Sequence, residues 1–337
     1  MAMTRICTLA ALLTSLLAVA LPVGAVASGH VRTIVTFDRA AGQLPEGVAV
    51  DKPGNVFVSL APLGQLLRVE PRSTRPELFG SLPGVDPASD VGLLGLAVDR
   101  GGDVYGAVVS ASAQGIWRFD RRTGAAERLP GTEAIPFPNS LAFDKRGHLY
   151  VASSAEGRAP SGGLRGGIWR ISRDGSVDRL LVDEALGGTG ELQPGGAGAN
   201  GIAYRDGVLY VTNTEKGTLL TIPVRRDGTL GPPGVLACGP QLLFPDGLAL
   251  DAHGNAYVAV ISQSTVVRVT PDGAIALLAD TSDGLDWPSS VAFGTDKGKR
   301  KQLYAVNFAI GPNFGFPLGA GPALLTIDLG APGRPSP

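Results

Sequence analysis

The sequence predicts an all-β protein, a six-bladed β-propeller closed by the N-terminal strand. Short runs of valine, leucine, isoleucine and tyrosine alternate with turns that are rich in glycine and asparagine, which is typical of strands and hairpins. One apolar segment recurs six times, and a repeat of about 40–50 residues with several strands is typical of a propeller blade. The central alanines of the six copies are Ala49, Ala97, Ala142, Ala203, Ala249 and Ala292.

Each copy continues in the same order. A turn such as residues 52–55 follows the first strand, and its glycine and asparagine supply the positive φ of a hairpin. A second strand such as residues 56–58 follows, and then a third such as residues 66–69, where arginine alternates with apolar residues. The last copy lacks a fourth strand, and residues 33–37 read as a spare one. We expect this strand to pair with the last blade and close the ring.

The first 27 residues read as a signal peptide. Arg5 precedes an apolar run over residues 6–21, and Ala25 and Ala27 form a small-x-small cleavage site. An uncleaved anchor is the alternative, but the run is shorter than the ~20 residues that a membrane span needs. We therefore expect a secreted, extracytoplasmic monomer with one domain over residues 28–337 and no membrane association after cleavage. The formal net charge of −1 provides no global field that would attract nucleic acid.

The residue three places before each central alanine varies from copy to copy. Because the first strand of each blade lines the channel of a propeller, these six residues should meet around the axis at one height. Four of them carry a carboxylate or an amide, and two of those are carboxylates with no cation beside them, which favours a divalent cation. Hard oxygen ligands suit Ca²⁺, whereas zinc would favour His or Cys. The six are Glu46, Leu94, Asn139, Asn200, Asp246 and Ser289. The alternative is that each is an ordinary turn residue before a strand.

The long connections are all expected on the face where the first strands begin, above this ring. A channel roofed by long loops is a common geometry for an active site. Phe137, Phe244, Trp287 and Ser289 are candidates for a substrate pocket there, although the aromatic residues could instead pack beneath the loops. Glycine-rich residues 187–198 read as a flexible lid, and the basic run over residues 297–301 reads as a solvated turn on the opposite face.

The sixfold pattern and the ring resemble the senescence marker protein/gluconolactonase family, which is related to diisopropyl fluorophosphatase and paraoxonase. The resemblance covers residues 33–330, and its most specific parts surround Glu46, Asn139, Asn200 and Asp246. It implies that these four residues hold one catalytic divalent cation and that the substrate is a lactone, a related ester or a phosphoester. The histidine pair of paraoxonases has no counterpart, because His148 and His253 fall in turns on the opposite face and His30 precedes the first strand.

These observations leave three functions open. The first is a calcium-dependent hydrolase of a small-molecule lactone or ester, in which the metal polarises the carbonyl and Asp246 is general base or nucleophile. The second is a non-catalytic binding propeller whose channel metal is structural, since one fold hosts both kinds of function. The third is a lyase or condensing enzyme of the strictosidine-synthase type. Such an enzyme does not need the complete oxygen ring, so the ring counts against it.

Overall fold

The computed structural model describes residues 31–192, 195–296, 298–329 and 333, and it forms six four-stranded antiparallel sheets. The predicted signal peptide, residues 1–27, lies outside the described residues. The first strands of neighbouring blades contact one another all the way around, so the six sheets form one closed ring. The predicted all-β, six-bladed propeller is confirmed. Within the described part of the chain, no helix has the length and apolar character needed to cross a membrane.

The blades follow the chain in order, from the innermost strand outwards. The first contains β2 (Pro45–Val50), β3 (Val56–Leu60), β4 (Gln65–Val69) and β5 (Pro76–Ser81), and the second β6 (Gly92–Val98), β7 (Val104–Val109), β8 (Gly115–Phe119) and β9 (Ala126–Arg128). The third contains β10 (Pro138–Phe143), β11 (Leu149–Ser153), β12 (Gly166–Ile171) and β13 (Val177–Asp183), and the fourth β14 (Ala199–Arg205), β15 (Val208–Asn213), β16 (Thr218–Pro223) and β17 (Gly234–Cys238). The fifth contains β18 (Pro245–Leu250), β19 (Ala256–Val260), β20 (Thr265–Val269) and β21 (Ile275–Ala279). The sixth contains β22 (Pro288–Phe293), β23 (Gln302–Asn307), β24 (Ala323–Asp328) and β1 (Val31–Thr36).

The sixth blade joins the two ends of the chain. Strand β1 pairs antiparallel with β24, with Val31 opposite Ile327 and Thr36 opposite Ala323. Val35 and Phe37 are buried in the cluster between the sixth and first blades. The predicted closure by the N-terminal strand is therefore confirmed, one or two residues earlier than the sequence pattern placed it.

Deleting residues 28–37 should destabilise the protein far more than deleting residues 334–337. The first deletion removes a whole edge strand and two buried apolar side chains, Val35 and Phe37, each contributing roughly 1.5–3 kcal/mol. It also exposes the unpaired edge of β24. We expect its melting temperature to be lower by at least about 5 °C, which scanning calorimetry on both truncations would measure. Equal melting temperatures would contradict closure by β1.

Small residues allow the six inner strands to pack closely around the axis. Gly47 directly follows a ring residue, and a Cβ there would lie 2.5 Å from the carbonyl oxygen of Leu94 in the next blade. A Cβ on Gly201 would lie 2.5 Å from the carbonyl oxygen of Asp246. Between the blades, six apolar clusters form the core, and each draws residues from two neighbouring sheets. The inner strands are thus held at fixed positions, which fixes the ring residues as well.

Candidate metal centre

All six ring positions coincide with irregularities in the inner strands. In every blade the pairing of the first strand with the second shifts register at the ring residue, as between Pro45 and Val48 or between Pro245 and Leu248. Such β-bulges redirect side chains and are common beside active sites. Glu46, Asn139, Asn200 and Asp246 therefore leave the regular ladder at one height in the channel. The sequence pattern predicted this shared register but contained no signal for the bulges.

The two ring carboxylates are buried and influence each other. Glu46 and Asp246 are each 6% exposed, and within the described chain neither forms an ion pair with a lysine or arginine. Burial raises the pKa of Glu46 well above its usual range, and the charge of Asp246 raises it further. Burial also raises the pKa of Asp246 to about 7, although hydrogen bonds from Asn200 and the Gly247 N–H oppose that shift. The charged form of both groups is therefore disfavoured in the folded chain, and a cation beside them would offset that cost.

The amide of Asn139 is oriented by a hydroxyl. Its Nδ2 donates to Ser154 Oγ at 3.2 Å, and Ser154 Oγ donates in turn to the carbonyl oxygen of Ala199 at 2.7 Å. Because the serine gives its only proton to a carbonyl, it must accept from the nitrogen of the amide. The Oδ1 of Asn139 is thereby left as a free acceptor, and this buried atom has no hydrogen-bond partner.

The fourth blade repeats the arrangement. Asn200 Nδ2 donates to Thr214 Oγ1 at 3.0 Å, and Thr214 Oγ1 donates to the carbonyl oxygen of Pro245 at 3.0 Å. Ser154 and Thr214 both directly follow the second strand of their blade. These hydroxyls were not among the residues predicted from the sequence. The signal was available, since a hydroxyl residue follows the second strand in both asparagine-bearing blades.

The residues present fit a divalent cation with hard ligands. Besides Asn139 Oδ1, the Oε2 of Glu46 is buried without a partner, and unpaired buried oxygens are costly unless something binds them. Two carboxylates and two amide oxygens suit Ca²⁺, whose remaining positions water would fill. No group of three His, Cys, Asp or Glu side chains suited to a metal occurs among the residues that the structure describes. The four ring residues themselves include neither His nor Cys.

Thr214→Val should weaken calcium binding about 10–100-fold, which is typical of removing a partner that orients a ligand. Valine keeps the shape but no longer fixes the amide of Asn200. Thr212→Val is the matched control, because Thr212 is a buried threonine of the same blade whose hydroxyl bonds only backbone groups of Gly201 and Asp246. Calorimetric titration would compare the two variants. Equal calcium affinities for both would contradict the orienting role.

The other two ring residues have different environments. Leu94 is a buried apolar residue. Ser289 is fully buried, and its Oγ donates to the carbonyl oxygen of Glu46 at 2.7 Å, which links the sixth blade to the first. Ser59 makes the corresponding link from the first blade to Leu94 at 2.9 Å. This hydrogen bond of Ser289 links two neighbouring blades, and its place in the substrate pocket stays a prediction.

The three predicted pocket aromatics are half-buried and lie just outside the ring. Phe244 and Trp287 immediately precede Pro245 and Pro288, and both have left-handed backbone, with φ of 58° and 50°. Such conformations are uncommon outside glycine and concentrate at functional sites. Trp287 stacks on Phe314 with ring centres 5.6 Å apart, so part of its surface packs beneath a loop, as the alternative foresaw. Contact of Phe137, Phe244 and Trp287 with a substrate stays a prediction.

The glycine-rich segment before Asn200 is not a loose lid over the residues that the structure describes. The carboxylate of Glu215 accepts hydrogen bonds from the backbone N–H groups of Thr189, Gly190, Leu192 and Ala197. These donors lower the pKa of Glu215 despite its partial burial. Glu215, which lies between β15 and β16, thus holds these backbone groups together, and composition alone did not reveal this contact.

The two turn histidines lie on the opposite face, as predicted. His148 follows β10, and its Nδ1 lies 3.4 Å from Asp144 Oδ2. His253 follows β18, and its backbone N–H donates to Asp251 Oδ1. Both occupy the turns between first and second strands, at the end of the inner strands away from Glu46 and Asp246. Neither is placed to act on a substrate at the ring.

The fold and the site together define a six-bladed propeller with an oxygen-lined ring in its channel. The sequence model of the SMP-30/Gluconolactonase/LRE-like region matches residues 85–306. The chain belongs to this family, as the resemblance predicted. A search of curated proteins finds no match.

Solved structures share the fold over nearly their whole length. A gluconolactonase from Xanthomonas campestris has a TM-score of 0.66 and 20% identity, covering 91% of this chain and 92% of its own. A calcium-binding protein, regucalcin from Agrobacterium tumefaciens, has a TM-score of 0.64 and 20% identity, covering 88% and 93%. A luciferin-regenerating enzyme has a TM-score of 0.66 and 16% identity, covering 91% and 97%. At these identities the likeness is one of fold.

Proposed function

We propose that this protein is a calcium-dependent hydrolase that acts on a small-molecule lactone or related ester at the channel ring. The observation that carries the proposal is the pair of buried carboxylates, Glu46 and Asp246, which face the channel without a cationic partner. Membership of a family that includes gluconolactonases supports this reaction class. The calcium-binding description of one structural neighbour supports the choice of metal.

Each ring residue has a distinct part. Glu46, Asn139, Asn200 and Asp246 would hold the ion through their oxygens, and Ser154 and Thr214 fix the orientation of the two amides by accepting from their nitrogens. A bound calcium ion would supply Lewis-acid polarisation of the substrate carbonyl and favour the ionised form of both carboxylates. Asp246 accepts the proton of the attacking water at its carboxylate, or attacks the carbonyl itself. The hydrogen bonds from Asn200 and the Gly247 N–H favour the ionised form of Asp246 and restrict its rotation.

We also propose that the protein is exported from the cell. Residues 1–27 would direct export and be removed, which leaves a monomeric extracytoplasmic enzyme. Calcium is abundant outside cells, so a site of moderate affinity would be filled there. Peptide sequencing of the N-terminus of exported protein would check the cleavage near Ser28.

A substrate screen tests the reaction class. Purified protein would be assayed with γ- and δ-lactones including gluconolactone, with aryl esters and with a phosphotriester, each in calcium and again after chelation. We expect hydrolysis of at least one lactone or ester that falls to background in chelator and returns with calcium. Calcium binding without turnover of any of these compounds would instead favour the non-catalytic binding propeller. An unsaturated product would favour a lyase.

A further inference from the structure

The face opposite the ring contains a cavity of about 760 Å³ between the first, second and sixth blades. It is formed by the turns after β2, β6, β8 and β22, so it lies at the far end of the inner strands. Six basic side chains line it: Lys52, Arg68, Arg100, Arg121, Arg122 and Arg300. Apolar side chains, among them Val50, Phe57 and Val98, form part of its wall.

Only two acidic side chains line the same cavity, and each accepts hydrogen bonds from backbone N–H groups of its own turn. Asp51 Oδ1 accepts from the backbone N–H groups of Gly54 at 2.9 Å and Asn55 at 2.7 Å. Asp99 Oδ1 accepts from Gly102 at 2.8 Å and Asp103 at 3.0 Å. These hydrogen bonds hold both carboxylates in their own turns, and neither carboxylate forms an ion pair with a described lysine or arginine.

The basic side chains are only partly neutralised. Arg68 pairs with Glu70 at 3.4 Å and with Glu77 at 3.3 Å. Arg121 and Arg300 donate to backbone carbonyls. Lys52, Arg100 and Arg122 are exposed, and their side chains form neither a hydrogen bond nor an ion pair with any residue that the structure describes. Like charges around one concave space repel, and an anion placed between them removes that repulsion.

Several basic residues elsewhere on the same face are paired with carboxylates. In the third and fourth blades Lys145 pairs with Asp206 at 2.8 Å, Arg205 approaches the same carboxylate at 3.4 Å, and Arg170 pairs with Asp178 at 2.9 Å. These basic side chains have acidic partners, whereas Arg146 and Arg226 on the same face form no ion pair with a described residue. What distinguishes the cavity is that six basic side chains meet around one concave space.

We propose that this cavity binds a small soluble organic ligand with two or more anionic groups, phosphates or carboxylates. Its volume lies in the range of small-molecule sites, roughly 300–1,000 Å³. Guanidinium groups bind phosphate and carboxylate in a bidentate way, and the apolar wall offers contact to an organic body. A concave space between three blades fits a compact molecule better than a flat lipid surface. The site is separate from the channel ring and does not depend on the proposed hydrolysis.

Calorimetric titration with fructose 1,6-bisphosphate, fructose 6-phosphate and fructose would test the site at low salt. We expect the bisphosphate to bind at least tenfold more tightly than the monophosphate, and fructose not to bind. The triple variant Lys52→Ala/Arg100→Ala/Arg122→Ala should lose at least tenfold in affinity for the bisphosphate, because it removes three charged donors from the cavity. All three side chains are exposed, so its melting temperature should stay within a few degrees of wild type.

The matched control removes three positive charges from the same face outside the cavity, as Lys145→Ala/Arg146→Ala/Arg226→Ala. It should bind the bisphosphate within about twofold of wild type, since these residues do not line the cavity. An equal loss in both triple variants would mean nonspecific charge attraction and overturn the site. Absence of bisphosphate binding to the wild type would overturn it as well. Binding to phosphatidylglycerol vesicles that depends on Lys52, Arg100 and Arg122, in place of bisphosphate binding, would identify a lipid surface and also overturn the proposal.

Discussion

Replacing Asp246 with asparagine is expected to lower kcat by at least ~10²-fold, the effect typical of removing a general base. Asparagine keeps the shape of the side chain and one ligand oxygen but has no negative charge. It can neither accept the proton of the attacking water nor attack a carbonyl. Steady-state kinetics in excess calcium, with the substrate found by the screen, would measure the loss. Folding should be retained, because removing a buried charge removes its desolvation penalty as well.

The histidines provide the control for this variant. His148→Ala and His253→Ala should each keep kcat within a few-fold of wild type, because both residues lie in turns at the opposite end of the inner strands. If Asp246→Asn were active and a histidine variant inactive, the active site would lie on the face opposite the ring, and our assignment would be wrong.

Removing calcium should make the protein less stable as pH rises. The pKa of Asp246 is raised from 3.8 to about 7 in the folded chain, and that of Glu46 is raised well above 4.5. Between the unfolded pKa of 3.8 and the folded pKa of about 7, folded Asp246 keeps a proton that the unfolded chain has released. The free energy of unfolding therefore falls with increasing pH. The contribution of protonated Asp246 to stability is fully present below about pH 4 and is lost as pH rises through its folded pKa of about 7. We expect the melting temperature of chelated protein to fall by at least about 5 °C between pH 5 and pH 8.

Calcium should reverse this dependence, since bound cation favours the ionised carboxylates and binding competes with protons. The gain in melting temperature from calcium should therefore be larger at pH 8 than at pH 5, with about one ion bound per chain. In Glu46→Gln a titrating carboxyl is absent, so the chelated variant should show a weaker pH dependence than wild type. A melting temperature of chelated wild type that is constant from pH 5 to pH 8 would contradict the destabilising carboxylate pair.

Much of the architecture could be predicted from the repeat alone. The predicted third strand over residues 66–69 corresponds to Gln65–Val69, and the spare strand over residues 33–37 corresponds to Val31–Thr36. Apolar alternation and turn chemistry act over a few residues, so a single sequence contains enough information to locate these strands. The shared register of Glu46 and Asp246 followed from the same repeat, because a propeller places equal positions at equal heights.

The rest depends on contacts between blades, which local pattern does not encode. Ser154 orients Asn139 while it bonds Ala199, a residue 45 positions further along the chain. Glu215 arranges a segment that its glycines alone suggested was flexible. The cluster of basic residues around Lys52 emerged only when turns from three blades were brought together. Such long-range polar contacts are specific to the folded chain.

Closure of the sixth blade also constrains how the molecule can be made. The Oγ1 of Thr326 lies within hydrogen-bond distance of the carbonyl of Arg32, a partner 294 residues earlier in the chain. Contacts of such large sequence separation form late and slowly, so the ring can only be completed after synthesis has passed β24. A product that ends early would hold two open sheet edges and β1 without its partner. Premature termination in the last blade should therefore yield aggregation and degradation rather than a smaller propeller with partial activity.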